Sequence, residues 1–425
     1  MTALIGILNK RAAVIAADSA VTITNGDNRK IINNAKKLFR LSNSNPVGIM
    51  LYSSAEFMDI PWDVLIKLYR DKNSGKTFDT LQEYVDDFIN FLRHNKNCID
   101  KDSQANYLSL QASLFFKKIR SFYKYRLSLE RKNDLEGPNK TKIINKCLSN
   151  AFDLMSKYCK NSGNGSEFDG YTQQQFHSYA KEALDKLEKL RKENDLPGSR
   201  SRWEKEFYSY IISNYYLLDT GLVFVGYGNE DIFPSIIALN ISGFVDDKLK
   251  FYYDKEGSDV IDNSNKASIC PFAQTDIMLS FMDGMHPDMY QTIMDDYEES
   301  LDNVKKQMIA AMQDAGVKTQ QIEKLNQFDL RPFIKQYSEK TVNNMYDRFS
   351  SHIVDSVESF DIEDMVKMAE SLISITNLQR HISSWEESVG GPVDVAVITK
   401  SEGFVWVNHK QWYQQEMNPQ MSERR

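Results

Sequence analysis

Apolar positions gather in short unbroken runs at both ends of the chain and in helix-spaced stripes through its middle. Residues 3–8 and 12–17 are two such runs, separated by the polar Asn9-Lys10-Arg11, which is the pattern of adjacent strands. A polar, turn-rich stretch over 24–28 follows, and 37–41 and 47–52 read as two more strands. Pro61 suits the first turn of a helix carrying Trp62 to Tyr69. From there to about residue 217 the pattern is helical and polar. Phe78, Leu81, Val85, Phe88 and Leu92 recur at three- and four-residue steps, one face of an amphipathic helix. Residues 108–129 predict a second helix, 161–170 a loop and 173–193 renewed helix. A stop at 196–199 then precedes a last helix ending near 218.

Strands return at 221–227, 235–241 and 249–253, and a second helical block runs over about 274–384, broken around Gly316 and Pro332. The chain closes on 393–399, a 401–403 turn and 404–407, a hairpin with Gly403 supplying the turn. Strand-rich ends with helices between them predict a single composite α+β domain over 2–425. Its core covers about 2–70, 219–254 and 360–409, with helical insertions at about 71–217 and 274–359.

Composition narrows the function classes. The 425 residues are 41% hydrophobic and 26% charged, ordinary for a globular chain. No run of eighteen apolar residues occurs and the first residues make a poor signal peptide, so cytoplasm, with no membrane partner, is the expectation. The net charge of −7 comes without a basic stripe, which argues against nucleic acid. Phe115, Phe116, Phe122, Tyr123 and Tyr125 alternate with basic residues, and an aromatic core face with a basic solvent face accounts for them. Cys98, Cys147, Cys159 and Cys270 form no CxxC pair, and the six histidines have no ligand spacing. Neither metal nor cofactor is expected.

Candidate chemistry starts at Thr2, behind a methionine that aminopeptidases remove before small residues. A free Thr2 carries a hydroxyl and an α-amine on adjacent atoms. The amine, titrating near ~8, can take the proton that makes the hydroxyl a nucleophile. Asp18 ends the second apolar run, and Lys36-Lys37 opens the strand at 37–41. A lysine beside the amine would tune its proton affinity, and an aspartate would hold that lysine charged. By spacing alone, Asp18 serves equally as a turn residue and either lysine as a solvated strand end.

Three stretches resemble the opening of proteasome β-subunits: Thr2-Ala3-Leu4-Ile5-Gly6-Ile7, Val14-Ile15-Ala16-Ala17-Asp18-Ser19 and Asn34-Ala35-Lys36-Lys37-Leu38-Phe39. Glu387-Ser388-Val389-Gly390-Gly391-Pro392, the run to Lys400 and Glu402-Gly403-Phe404-Val405 are similar to the family's late helix-to-hairpin segment. The resemblance covers about a quarter of the chain. It implies an N-terminal-nucleophile hydrolase of divergent bacterial type, a four-layer αββα sandwich of antiparallel sheets with long helical insertions. It also implies Thr2 as nucleophile, Asp18 as strand-end acid, Lys37 as catalytic lysine, Ser53 at the oxyanion-hole position, and Glu386 with Ser388 as the late supporting pair. Val21, Ala35, Leu51 and Ala55 fall at the side-chain pocket. The chain departs from the family where Ser53 replaces a glycine, Tyr227 a serine between two glycines, and Val389 a serine that Ser388 could replace.

The function implied is a threonine peptidase acting on a peptide or protein substrate, as a homo-oligomer and with room for an unfoldase partner. A small-amide hydrolase and a proteasome fold kept for assembly or interaction are the alternatives.

Overall fold

The computed structural model describes residues 2–25, 28–32, 35–98, 100–130, 139–382 and 390–410, with backbone alone over 21–25 and 28–32. In chain order the strands are β1 (Ala3–Asn9), β2 (Ala13–Ala17), β3 (Val21–Asn25), β4 (Asn28–Ile32), β5 (Leu38–Arg40), β6 (Val47–Ser53), β7 (Glu56–Phe57) and β8 (Ile60–Pro61). After the first helical block come β9 (Thr220–Gly226), β10 (Ser235–Val245), β11 (Lys248–Val260) and β12 (Ala267–Ala273). After the second come β13 (Asp394–Thr399) and β14 (Gly403–Asn408). The first block contains α1 (Trp62–Lys72), α2 (Leu81–Arg93), α3 (Lys101–Ser128), α4 (Lys140–Ser162), α5 (Gln173–Tyr179), α6 (Lys181–Glu193) and α7 (Arg200–Ile212). The second contains α8 (Asp276–Asp283), α9 (Pro287–Asp314), α10 (Thr319–Asn326), α11 (Arg331–Met345), α12 (Ser351–Ser359) and α13 (Ile362–Ile382). The class is α+β with antiparallel sheets, as expected. Two compact units share it: Met1–Ala35, Ile261–Val397 and Trp406–Arg425 form one, Lys36–Val260 and Ile398–Val405 the other.

In the first unit the sheet runs in the order β12-β1-β2 and on to the first residues of β13, Asp394 to Val397. Every residue of β1 and β2 is buried, so neither face of these strands meets solvent. Ile5, Ile7, Val14 and Ala16 pack with Val357 of α12 and with Met365, Ala369 and Ile373 of α13. The polar turn between β1 and β2 is closed by Asn9, whose Oδ1 accepts the N–H groups of Arg11 and Ala12 at 2.9 and 3.2 Å. Its Nδ2 donates to the Val357 carbonyl at 3.0 Å, tying the turn to α12. β12 has no continuous apolar run, because Ser268 and Pro271 interrupt it. It lies at the sheet edge, the place in a sheet that tolerates a proline without a lost ladder bond. Among the methionines of the second block, Met294 is buried while Met289 and Met308 are exposed.

The second unit carries the sheet β11-β10-β9-β6-β5, with the helices of the first block against it. α2 begins with a capping box: the Thr80 hydroxyl accepts from the Glu83 N–H, and the Glu83 carboxylate reaches back to the Thr80 N–H. Its buried residues include Leu81, Val85, Phe88 and Leu92, the stripe read from the sequence. Phe115, Phe116 and Tyr123 are buried as an aromatic core face of α3, whereas Tyr125 is exposed. The four cysteines are buried free thiols. Among the described residues no helix is long and apolar enough to cross a membrane.

The last helix of the block stops at Ile212 rather than near 218, and Lys250 shows why. Its side-chain nitrogen is buried and donates to the carbonyls of Ile211 (2.7 Å), Tyr210 (3.2 Å) and Ser213, over the Tyr216 ring at 4.7 Å. These carbonyls belong to the last turn and C-cap of α7, so a β11 side chain helps to cap the helix alongside the Ser213 N–H, which donates to the Tyr210 carbonyl. Burial pushes the Lys250 pKa down to about 7 from 10.5. Between those values the unfolded chain holds a proton that the folded chain has released. Stability is therefore expected to rise with pH across that window, by at most about 1.4 kcal/mol per pH unit, and to be lost again as pH falls toward 7. Denaturant titrations from pH 6.5 to 10 check this, with the slope absent in Lys250→Met.

Candidate active site

Thr2 stands at the head of β1, an interior strand held between β12 and β2. Its carbonyl accepts the Gln274 N–H at 3.0 Å, and the next residue, Ala3, pairs with Ala273. The residue is 7% exposed, at the end of two ladders rather than on a loose terminus.

Asp18 follows the last residue of β2 and is fully buried. Its own N–H donates to the Ala3 carbonyl at 3.1 Å, while its Oδ1 accepts the Ala3 N–H at 2.8 Å. Its Oδ2 accepts from Ala20 (3.1 Å) and Gly390 (3.2 Å). A buried carboxylate is tolerated only when several donors surround it, and here three backbone N–H groups do so. The side chain thus joins the start of β1, its own turn and the segment leading into β13. The pairing of Thr2 with Asp18 as neighbours of one amide follows from the strand register, Leu4 opposite Ala17.

A second polar cluster in this unit went unnoticed in the sequence. Lys410 forms an ion pair with Asp394 Oδ2 at 3.0 Å, and its Nζ also donates to Ser19 Oγ and to the Ala35 carbonyl. Asp394 is buried. Burial alone would raise its pKa, but His409, at 3.4 Å, and the N–H and ammonium of Lys410 outweigh that and hold it below the usual carboxylate value. Ser19 donates to the Pro392 carbonyl, and its own carbonyl accepts the Ala35 N–H at 3.1 Å. The only sequence signal was Asp394 opening an otherwise apolar strand.

Lys37, Leu51, Ser53 and Ala55 belong to the second unit. Lys37 precedes β5 and is 4% exposed, and its carbonyl accepts the Leu51 N–H at 2.8 Å. Leu51 is part of the core of that unit, whereas Ala55 is exposed. Ser53 ends β6 opposite Thr220 with φ of 73°, a left-handed backbone that glycine adopts freely and serine only at a cost. Burial pushes the Asp219 carboxyl above its usual range, and the Ser53 hydroxyl opposes that shift. Tyr227 is buried beside Gly226, whose φ of 144° leaves a Cβ only 2.0 Å from the Pro46 carbonyl oxygen. No side-chain hydrogen bond reaches the Tyr227 hydroxyl among the described residues. Ala35 is half-buried in the first unit. Val21 lies in β3 with its side chain outside the described residues, and Glu386, Ser388 and Val389 fall outside them altogether.

No family model matches the chain, and no curated protein matches it. Among solved structures it is similar to a Gly-1 mutant of Anbu from Hyphomicrobium sp. strain MC1, at 9% identity and a TM-score of 0.28, covering 100% of this chain and 94% of that one. Anbu from the same strain, in another structure, gives 8% identity and a TM-score of 0.26, covering 99% and 94%. At scores this low neither likeness carries an argument.

Proposed function

We propose that this chain is an N-terminal-nucleophile hydrolase of proteasome β-subunit type, a threonine peptidase whose nucleophile is Thr2 once Met1 has been removed. The observation that carries the proposal is the Asp18 carboxylate on the Ala3 N–H. It fixes the residue after the nucleophile, so that Thr2 begins from a defined backbone position. Ser53 adds support, because its φ of 73° is a backbone conformation that suits the glycine which the resemblance implies at the oxyanion-hole position.

In the reaction, the Thr2 α-amine accepts the hydroxyl proton as Oγ1 attacks a peptide carbonyl. By the resemblance, backbone N–H groups at the Ser53 position would hold the tetrahedral oxyanion, and the amine returns its proton to the leaving nitrogen. The resulting ester on Thr2 Oγ1 is then hydrolysed by a water molecule deprotonated by the same amine. Lys37, assigned by the resemblance, lowers the proton affinity of that amine through its charge. The proposal extends to a peptide or protein substrate, a homo-oligomer, an unfoldase partner and the cytoplasm.

The second reading keeps the fold as a scaffold without turnover, and the 7% exposure of Thr2 favours it. Hydrolysis of a fluorogenic peptide library separates the two. The hydrolase is expected to release new amines, and Lys37→Ala to lower kcat by about two to four orders of magnitude with a smaller change in KM. Absence of turnover in the Met1-processed protein would leave the scaffold.

A further inference from the structure

A cavity of about 410 Å³ opens within the second unit, between the β6–α1 segment, the first turns of α3 and the β9–β10 strands. Its size is that of a site for a small molecule or one long side chain. Three carboxylates line it, Glu56, Asp59 and Asp219, and no Lys, Arg or His does. None of the three forms an ion pair among the described residues. Hydroxyls and an amide complete the polar wall: Ser103, Asn106 and Tyr107, the last hydrogen-bonded to Ser242 at 2.6 Å. Met58, Leu110 and Leu218 supply apolar wall between the polar groups.

We propose that this cavity binds an organic cation, an ammonium or guanidinium group carried on an alkyl chain. The three uncompensated carboxylates fix the sign of the ligand's charge, and the apolar wall accommodates its methylenes. Among the described residues no His, Cys, Asp and Glu come close enough together to hold a metal ion. The carboxylates are therefore spread too widely for a bare divalent ion and suit a larger, hydrogen-bonding cation. The Asp219 carboxyl, which burial now holds above its usual range, would gain an opposite charge and ionise more readily. Met58 and Asp59, consecutive residues of the wall, have φ of 51° and 62°, an unusual backbone that presents Asp59 at the cavity. The proposal concerns binding in the second unit and stands apart from the nucleophile proposed above. It departs from the apolar pocket expected from Leu51 and Ala55.

Calorimetric titration of the full-length protein with N-acetyl-lysine amide, cadaverine and the neutral isostere N-acetyl-norleucine amide tests it. The two cations are expected to bind at millimolar or lower concentration and to weaken with salt, while the isostere does not bind. Asp219→Asn is expected to weaken cation binding about ten-fold or more. Asp59→Asn, on the surface and at a backbone conformation asparagine accepts, is expected to weaken it with an unchanged thermal midpoint. Tighter binding of the lysine derivative identifies a basic peptide side chain as ligand, and tighter binding of cadaverine a free amine. Equal binding of the isostere, no binding of either cation, or binding unchanged in both variants overturns the proposal.

Discussion

Asp18→Ala is expected to remove about 3–6 kcal/mol of folding stability, enough to leave a domain of ordinary stability partly unfolded. The carboxylate accepts three backbone N–H groups, from Ala3, Ala20 and Gly390, all at 3.2 Å or less, and the side chain is fully buried. Truncation leaves those donors without an acceptor where water does not reach, at about 1–3 kcal/mol for each group stranded. Asp18→Asn is the informative companion. Its amide oxygen can still accept on one side, while its NH2 faces donors on the other, so an intermediate loss is expected. Urea titrations of the three proteins measure the series. A loss below about 1 kcal/mol for Asp18→Ala would mean that the turn rearranges and that Asp18 does not organise the start of β1.

Thr2→Ala is expected to abolish peptide turnover, lowering kcat by about four to six orders of magnitude, the scale seen when a covalent nucleophile is deleted. The bonds that hold Thr2 in place are backbone bonds, to Gln274 and through the Ala3–Ala273 pair, and alanine keeps them. The substitution should therefore leave the denaturation midpoint nearly unchanged, which separates lost chemistry from lost fold. Thr2→Ser retains the hydroxyl and α-amine and is expected to keep activity within about two orders of magnitude. Steady-state kinetics of the three proteins decide the matter. Equal rates for Thr2→Ala and the unaltered chain would place the nucleophile elsewhere.

The strands that carry these residues were legible because their apolar runs are short, continuous and bounded by polar turns. β1, β2, β6, β9 and the closing hairpin all fall where the pattern puts them. So does the α2 stripe, where periodicity and a capping box agree. β12 was not, since a proline and a serine dilute its pattern and its edge position tolerates both. The end of α7 was also misplaced, because its stop is imposed by Lys250 from a distant strand and no local signal marks it. At the candidate site, Asp18 was legible as a lone carboxylate closing an apolar run. The bonds from Ala20 and Gly390 were not, as the latter spans 372 positions. The Lys410–Asp394 pair is only 16 positions apart, but the Ser19 hydroxyl that Lys410 also meets lies 391 positions away, beyond the reach of any local pattern.

The central claim is a working nucleophile at Thr2, and the most direct measurement is the intact mass of the purified protein, free of any N-terminal tag, before and after a β-lactone probe. The expected result is a chain that lacks Met1 and gains one probe mass, with the adduct on Thr2 and none in Thr2→Ala. A retained Met1, or a processed chain that takes up no probe, would contradict it.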